Sequence, residues 1–357
     1  VPGQMPGRDD YANACLRGMA LGQRTHDEDE RVMFPMKRTG ERGADQWERI
    51  SWDEAYDEIT EKVLKIKEEH GSESIVVVHG TGRNIGWQVP YFASACMETP
   101  NVSTFGFTGF ACYLPRMIGT SAKFGDMFIV DASQAHPERY AAEDWEVPGV
   151  VLVWGNEPIK SNADGFLGHW LVQCVQMGSK IISIDPRLTW LGAKAEVWLQ
   201  VRPGTDCALA LGMLNVIIEE DLVDHDFIDK WCYGYDELVQ RVQEMPPSRA
   251  AEICGVPEEQ IWRAARLYGK AKPSSLAWGL AVDENPNGTQ LGQCLIALMS
   301  ITGFIDAPGG TTLGMGDDQG NVVRDGGSIS ADEKVDDATL KITLKEPFPA
   351  LLDKLTI

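Results

Sequence analysis

The chain has 357 residues, enough for two domains with a sizeable core. With 43% hydrophobic and 24% charged residues it is globular in composition, and it has no apolar run of the roughly 18 residues that a membrane-spanning helix needs. A net charge of −21 argues against a nucleic-acid partner, whose phosphates require a basic surface, and favours solubility.

Residues 1–30 are polar and turn-rich and contain Asn13-Ala14-Cys15-Leu16-Arg17-Gly18. Short strands are predicted over 31–38 and 47–50, on either side of Gly40 and Gly43. Ser51-Trp52-Asp53-Glu54 is a capping box, which launches an amphipathic helix to about His70 with Ala55, Ile59, Val63 and Ile66 on its apolar face. A strand over 74–79, a glycine-containing turn, a helix over 87–97 and a short strand over 102–107 follow. Next, Cys112 stands on a loop before a helix predicted over 114–124. A thiolate there has a lowered pKa and is a soft-metal ligand; the alternative is a buried apolar residue. Arg116 can orient an anionic or hydroxylated substrate, or pair with an acidic surface residue. His136 is an acid–base candidate in the weakly patterned stretch 126–149, with an ordinary surface histidine as the alternative.

The centre of the chain is more regular. Val150-Val151-Leu152-Val153-Trp154 is a β-branched apolar run that stops at the turn Gly155-Asn156-Glu157-Pro158. A helix over about 163–177, closed by Gly178, leads to a second strand, 180–184, ending in Asp185-Pro186-Arg187. A third strand, 196–201, ends in Arg202-Pro203-Gly204-Thr205-Asp206, where an apolar helix over 207–218 begins. Gly204 permits close backbone approach, Thr205 or Asp206 can cap the helix, and Asp185 can accept from a base edge or a ribose hydroxyl. These turns together predict a nucleotide-like ligand at the carboxyl ends of parallel strands.

The segment 226–271 reads as four helices in succession, followed by a strand over 274–278, a turn at Gly279, a polar stretch over 285–290 and a helix over 291–302. Trp278 to Gln290 is a secondary binding candidate. Beyond Gly310 the acidic, glycine-rich sequence predicts a loop that wraps over a site. The eight cysteines (15, 96, 112, 174, 207, 232, 254 and 294) are scattered singly, so neither a zinc site nor a disulfide framework is indicated. A reducing compartment suits them, and the cytoplasm is the expected location, with an export signal upstream of Val1 left open.

The ordered set Gly155-Asn156, Asp185-Pro186-Arg187 and Arg202-Pro203-Gly204-Thr205-Asp206 resembles the molybdopterin oxidoreductases of the dimethyl sulfoxide reductase family. The opening segments Cys15-Leu16-Arg17-Gly18, 35–43 and Trp47 to Ala55 resemble the same family. Between Glu196 and Ala265 the likeness leans towards its acetylene hydratase and catechol dehydroxylase branch. The resemblance implies an α/β fold of layered, mostly parallel sheets with helices on both faces, in which a Rossmann-like dinucleotide-binding domain (108–280) is inserted in a second α/β domain (48–107 and 281–357), after an iron–sulfur remnant (1–47).

It also implies two molybdopterin guanine dinucleotides with molybdenum or tungsten, held by Arg17, Gly155, Asn156, Glu157, Asp185, Pro186, Arg187, Gly204, Thr205, Asp206, Trp278 and Gly279. Cys112 would ligate the metal, and Cys15 would ligate a [4Fe–4S] cluster whose other ligands lie upstream of Val1. The expected partners are a small organic substrate, an electron-transfer subunit or ferredoxin, and missing N- and C-terminal parts of the same protein. The expected activity is redox chemistry such as reductive dehydroxylation; a redox-neutral hydratase and a cofactor-free binding or maturation protein are the alternatives.

Overall fold

Four parallel strands form the central sheet: Val150–Trp154, Lys180–Ile184, Val197–Leu199 and Ser274–Trp278. The computed structural model describes residues 16–27, 31–80, 88–104, 114–124, 129–131, 146–161, 166–305, 307, 309–316, 322–323, 329–336 and 339–344. Its contacts divide the chain into two compact units, 1–114 and 115–357.

The first unit contains α1 (Leu16–Thr25), an antiparallel pair β1 (Met36–Arg38) and β2 (Trp47–Arg49), α2 (Trp52–His70), and a parallel pair β3 (Val77–His79) and β4 (Val102–Thr104). Between β3 and β4, α3 (Gln88–Phe92) runs into a π-turn over Ala93–Met97. The capping box is present: Ser51 Oγ accepts from Glu54 N at 3.1 Å and holds the start of α2. The apolar face read from the sequence is not buried, however. No residue of α2 is buried, and Ile59 remains 55% exposed. Period alone marks a face; burying it needs a second layer of structure.

In the second unit, α4 (Leu114–Phe124, whose first residue belongs to the first unit) and β5 (Ile129–Asp131) precede the central sheet. Its strands are β6 (Val150–Trp154), β7 (Lys180–Ile184), β8 (Val197–Leu199) and β9 (Ser274–Trp278), in the spatial order β8-β7-β6-β9. The helices of this unit are α5 (Pro158–Ser161), α6 (Phe166–Gln176), α7 (Trp190–Lys194), α8 (Asp206–Glu219), α9 (His225–Trp231), α10 (Tyr235–Gln243), α11 (Pro247–Cys254), α12 (Glu258–Lys270) and α13 (Gly288–Ile301).

Alternation along the strands builds two cores. Val150, Leu152, Trp154, Ile182 and Leu276 face one side and meet α8, α12 and α13. Val151, Val153, Ile181 and Ala277 face the other, against Trp170, Leu171 and Cys174 of α6 and Leu191 of α7. A parallel strand covered on both faces needs an unbroken apolar run, which is what residues 150–154 supply. Each fully buried Leu- or Val-sized side chain contributes about 1.5–3 kcal/mol by leaving water.

The fold is therefore α/β with helices on both faces of a parallel sheet, but two local expectations change. The helix predicted from residue 163 is found from Phe166, with residues 162–165 outside the described set. Beyond Gly310 the structure has strands where a loop was read: β10 (Thr312–Gly316), β11 (Val322–Val323), β12 (Ile329–Asp336) and β13 (Thr339–Leu344). β10 pairs with β5 and β11, and β12 pairs with β13. Their pairing is antiparallel, and β13 does show a strand's alternation, in Leu340, Ile342 and Leu344, which the acidic, glycine-rich surroundings outweighed in the sequence reading.

The 114/115 division also differs from the boundary drawn at 280/281. Helix α13 joins the core of the sheet, with Leu291, Leu295, Leu298 and Met299 buried in the same cluster as Leu152. Gly119 and Gly292 let α4 and α13 approach closely; a Cβ on Gly119 would lie 3.1 Å from Thr289 O.

Candidate functional site

From β6 the chain steps through β7 to β8, then returns to the other side of β6 for β9. The strand order thus reverses between β6 and β9, and in open parallel sheets the crevice at the carboxyl ends of such a pair is where ligands bind. The turns singled out in the sequence all stand on this edge: 155–157 after β6, 185–187 after β7, 202–206 after β8 and 278–279 at the end of β9.

The two turns at the reversal lie against each other. Gly155 N donates to Ile184 O and Gly279 N to Trp154 O, both at 2.9 Å, which extends the ladder by one residue. Asn156 Nδ2 donates to Trp278 O at 3.2 Å. Gly155 has φ +58°, and a Cβ on Gly279 would stand 2.3 Å from Gly155 O, so both positions require glycine.

Asp185 is buried and fully engaged on one side. Its carboxylate accepts from Arg187 N at 2.8 Å, Arg187 Nε at 3.1 Å and Arg187 Nη2 at 3.1 Å. The Asp185 carboxylate, with help from Glu157, raises the Arg187 pKa. Pro186 O and Asp185 O accept from Gln200 Nε2 and Trp198 Nε1, which pins this turn to β8.

The third turn departs from the expected capping. Thr205 occupies the N-cap position of α8 but makes no side-chain cap; its hydroxyl donates back to Arg202 O at 2.6 Å. Asp206 turns inward instead. Its Oδ1 accepts from Trp154 Nε1 at 2.9 Å and its Oδ2 from Asn285 Nδ2 at 2.6 Å, tying the end of β6, the start of α8 and the loop before α13 together. Gly204 has φ +87°, and a Cβ there would stand 3.6 Å from Pro286 of that loop.

Arg116 is not free to clamp a ligand. It is buried and forms an ion pair with Asp283, itself fully buried: Nε and Nη2 each donate to Oδ2 at 2.7 Å, and Arg116 N donates to Oδ1 at 3.0 Å. Its guanidinium lies 5.7 Å from the Trp278 ring centroid. Of the two sequence readings, pairing with an acid is the one the structure displays, though the acid is a buried one. Arg116 thus positions Trp278 and α4.

Two acceptors on this edge lack partners among the described residues: Glu157 Oε2 and Asn285 Oδ1, both shielded from solvent. Buried acceptors are normally hydrogen-bonded, so both call for a donor beyond the described residues. A cavity of 530 Å³ lies at the opposite, amino-terminal edge, lined by Gly149, Lys180, Glu196 and Arg263, away from these turns.

Comparison with known proteins gives the family. The family described as molybdopterin oxidoreductase matches residues 31–346. The chain belongs to the molybdopterin oxidoreductase family.

Among its relatives is the putative dimethyl sulfoxide reductase chain YnfE of Escherichia coli K12, 31% identical over 338 residues, covering 86% of this chain and 40% of the relative. Acetylene hydratase of Syntrophotalea acetylenica is 33% identical over 293 residues, covering 78% and 36%. The solved acetylene hydratase from Pelobacter acetylenicus superposes with a TM-score of 0.62 at 32% identity, covering 84% of this chain and 39% of that one. The chain therefore spans about 40% of the length of the relatives it matches.

Of the expected site residues, Cys15, Cys112 and His136 lie outside the described residues, as does the side chain of Arg17, which stands on α1. Among the described residues no group of three or more His, Cys, Asp or Glu side chains is placed to hold a metal ion. The sequence reading missed the pairing of Asp283 with Arg116. The inward turn of Asp206 left no local trace.

Proposed function

We propose that this chain is the dinucleotide-binding part of a molybdenum or tungsten enzyme that carries two molybdopterin guanine dinucleotides and performs redox chemistry on a small organic molecule. The observation that carries the reading is the convergence of four turns at the β6–β9 reversal, with Glu157 Oε2 and Asn285 Oδ1 shielded and, among the described residues, unpaired beside them. Those acceptors suit the N–H edges of a pterin or guanine, and the glycine turns at 155, 204 and 279 let a phosphate-bearing ligand reach the backbone.

The residues that would hold the cofactor are Gly155, Asn156 and Glu157 after β6, Asp185, Pro186 and Arg187 after β7, Gly204 to Asp206 after β8, and Trp278 with Gly279. When bound, the metal supplies a two-electron couple at a Lewis-acidic centre, and the chain supplies orientation and electrostatics. Asp185 fixes the Arg187 guanidinium, an exposed cation beside the crevice that suits an anionic pyrophosphate. Asp206 keeps the β6 and 285 loops in register. Cys112 is the proposed protein ligand to the metal, and Cys15 the last of four ligands to a [4Fe–4S] cluster that passes electrons from a ferredoxin or partner subunit.

Reductive removal of a hydroxyl from an aromatic substrate is the first form of the reaction to test. A redox-neutral hydratase is the second reading, supported by the likeness to acetylene hydratase in both sequence and fold.

Metal and pterin analysis of the purified protein separates both from a cofactor-free binding protein, which would contain neither. With cofactor present, reduced viologen is supplied with catechols, and acetylene separately without reductant. Viologen oxidation by a catechol supports the redox reading. Acetaldehyde from acetylene with no viologen oxidation replaces it by the hydratase. Asp185→Ala is expected to lower cofactor content, and full pterin and metal in that variant would remove Asp185 from the binding set.

A further inference from the structure

A groove at the other end of the central sheet has no part in the turns described above. It is the 530 Å³ cavity at the amino-terminal edge, a volume within the roughly 300–1,000 Å³ of small-molecule sites. One wall is α12, where Glu259, Arg263, Arg266 and Lys270 recur at helical spacing and form a single charged stripe. The opposite stripe of α12, with Ile261, Ala264, Ala265 and Tyr268, is buried in the core and holds the charged one outward.

The other wall is where the strands begin. Arg263 Nη2 pairs with Glu196 Oε1, just before β8, at 2.7 Å. At the far end of the stripe, a Cβ on Gly149, just before β6, would stand 3.2 Å from Ala271 Cβ. Strand β7 lies between β8 and β6, so its first residue, Lys180, enters the groove between those two contacts. Arg266 is balanced by Glu220, donating to its carboxylate through Nε at 2.9 Å and Nη2 at 2.6 Å.

Lys180 and Lys270 are different. Both are exposed, and among the described residues neither forms an ion pair. Glu259 lines the opposite end, about 16 Å back along α12 at 1.5 Å per residue. The groove thus has a cationic end, with Leu267 and Ala271 as apolar surface on the same wall. The main chain there is already used: Gly149 N donates to Pro273 O at 2.9 Å and Lys180 N to Gly149 O at 3.0 Å.

We propose that this groove binds a small organic phosphate, its phosphate group held by the Lys180 and Lys270 ammonium groups and its apolar body lying on Leu267 and Ala271. Two uncompensated ammonium groups lining one groove suit a phosphate monoester, which carries a charge of about −1.5 to −2 at neutral pH. The chain's net charge of −21 opposes anions at long range, but that field is screened within about 8–10 Å, inside which the local pair of lysines decides. The site is separate from the carboxyl-end turns and does not depend on what they bind.

The test follows the alanine and leucine methyl signals of the full chain by NMR, at fixed ionic strength, with phenyl phosphate as the probe. Saturable shifts are expected at Ala271 and Leu267. Lys180→Gln and Lys270→Gln should each weaken binding about three- to fivefold, and the double variant about tenfold, as exposed charge pairs do. Inorganic phosphate, which lacks the apolar body, should bind more weakly, and the uncharged anisole should leave both signals in place. Arg187→Gln, on the opposite edge, should keep the affinity for phenyl phosphate.

The proposal is overturned if millimolar phenyl phosphate leaves the Ala271 and Leu267 signals unmoved, or if the double variant binds as tightly as the unsubstituted chain. Anisole or inorganic phosphate matching phenyl phosphate overturns it too, as does loss of binding in Arg187→Gln, which would place the probe on the turns. Should the double variant fail to fold by circular dichroism, the methyl shifts of the unsubstituted chain and the comparison of the three probes still decide.

Discussion

Two glycines on the same edge separate two reasons for being glycine. At Gly279 the difficulty is space: a Cβ would stand 2.3 Å from Gly155 O and 2.7 Å from Asn156 Cβ, so the backbone itself must move. At Gly204 it is conformation: φ is +87°, yet the nearest atoms to a Cβ are at 3.6 Å. Gly204→Ala should therefore cost about 1–2 kcal/mol, the left-handed penalty of an L-residue. Gly279→Ala should cost more, roughly 3 kcal/mol, because overpacking is opposed by backbone. Urea unfolding midpoints of the two variants rank them, and equal shifts would contradict this separation. Asp283→Ala tests the buried pair: it strands the Arg116 guanidinium, and loss of one partner of such a pair costs about 3–5 kcal/mol. An unfolding midpoint within error of the unsubstituted chain would show that Arg116 finds another partner.

At the scale of single elements, local chemistry was legible and distant pairing was not. The strands at 150–154 and 180–184 announce themselves by β-branched runs with Gly or Pro stops, and α2 by its capping box. Ser51→Ala should cost about 1 kcal/mol and speed amide exchange at the start of α2, while exchange in α8 stays unchanged. The Trp154–Asp206 and Arg116–Asp283 contacts join residues 52 and 167 positions apart, and no periodicity reports them. β12 and β13 escaped notice although Leu340, Ile342 and Leu344 alternate with polar residues along β13, a period-2 signal that the acidic, glycine-rich surroundings masked. Glu58 links two elements, bonding Lys62 on its own helix and Lys37 on β1, and these bonds lower its pKa from 4.5 to about 2. The folded value lies below the unfolded one, so what the bridge contributes is complete above about pH 4.5 and is lost as pH falls towards 2. An NMR titration of the Glu58 carboxyl carbon should find its midpoint near the low end of that window; a midpoint at 4.5 would refute the bridge.

Across the whole chain, charge and shape pull on different properties. A net charge of −21 with a pI near 4.7 keeps copies apart at neutral pH and removes that repulsion as the carboxylates titrate. Association measured by light scattering should rise as pH approaches 4.7 and fall with reversal of pH, and flat scattering across that range would show that charge does not govern it. The α/β class and the turns at the carboxyl ends of the strands could be read because the chain repeats strand, turn and helix in order. The place of α13 in the sheet's core could not, since Leu291 and Leu152 share one cluster across more than a hundred residues of chain.

That same distance has a consequence for synthesis. β6 sits between β7 and β9, but its partner β9 emerges roughly 120 residues after it. A growing chain holding β6, β7 and β8 presents a bare hydrogen-bonding edge with Val150 to Trp154 along it, and such edges capture other strands. Until Trp278 has left the ribosome the sheet cannot close. Any pause in translation between 200 and 274 would lengthen the time this edge stands open, so chaperone dependence should track the speed at which that helical stretch is made.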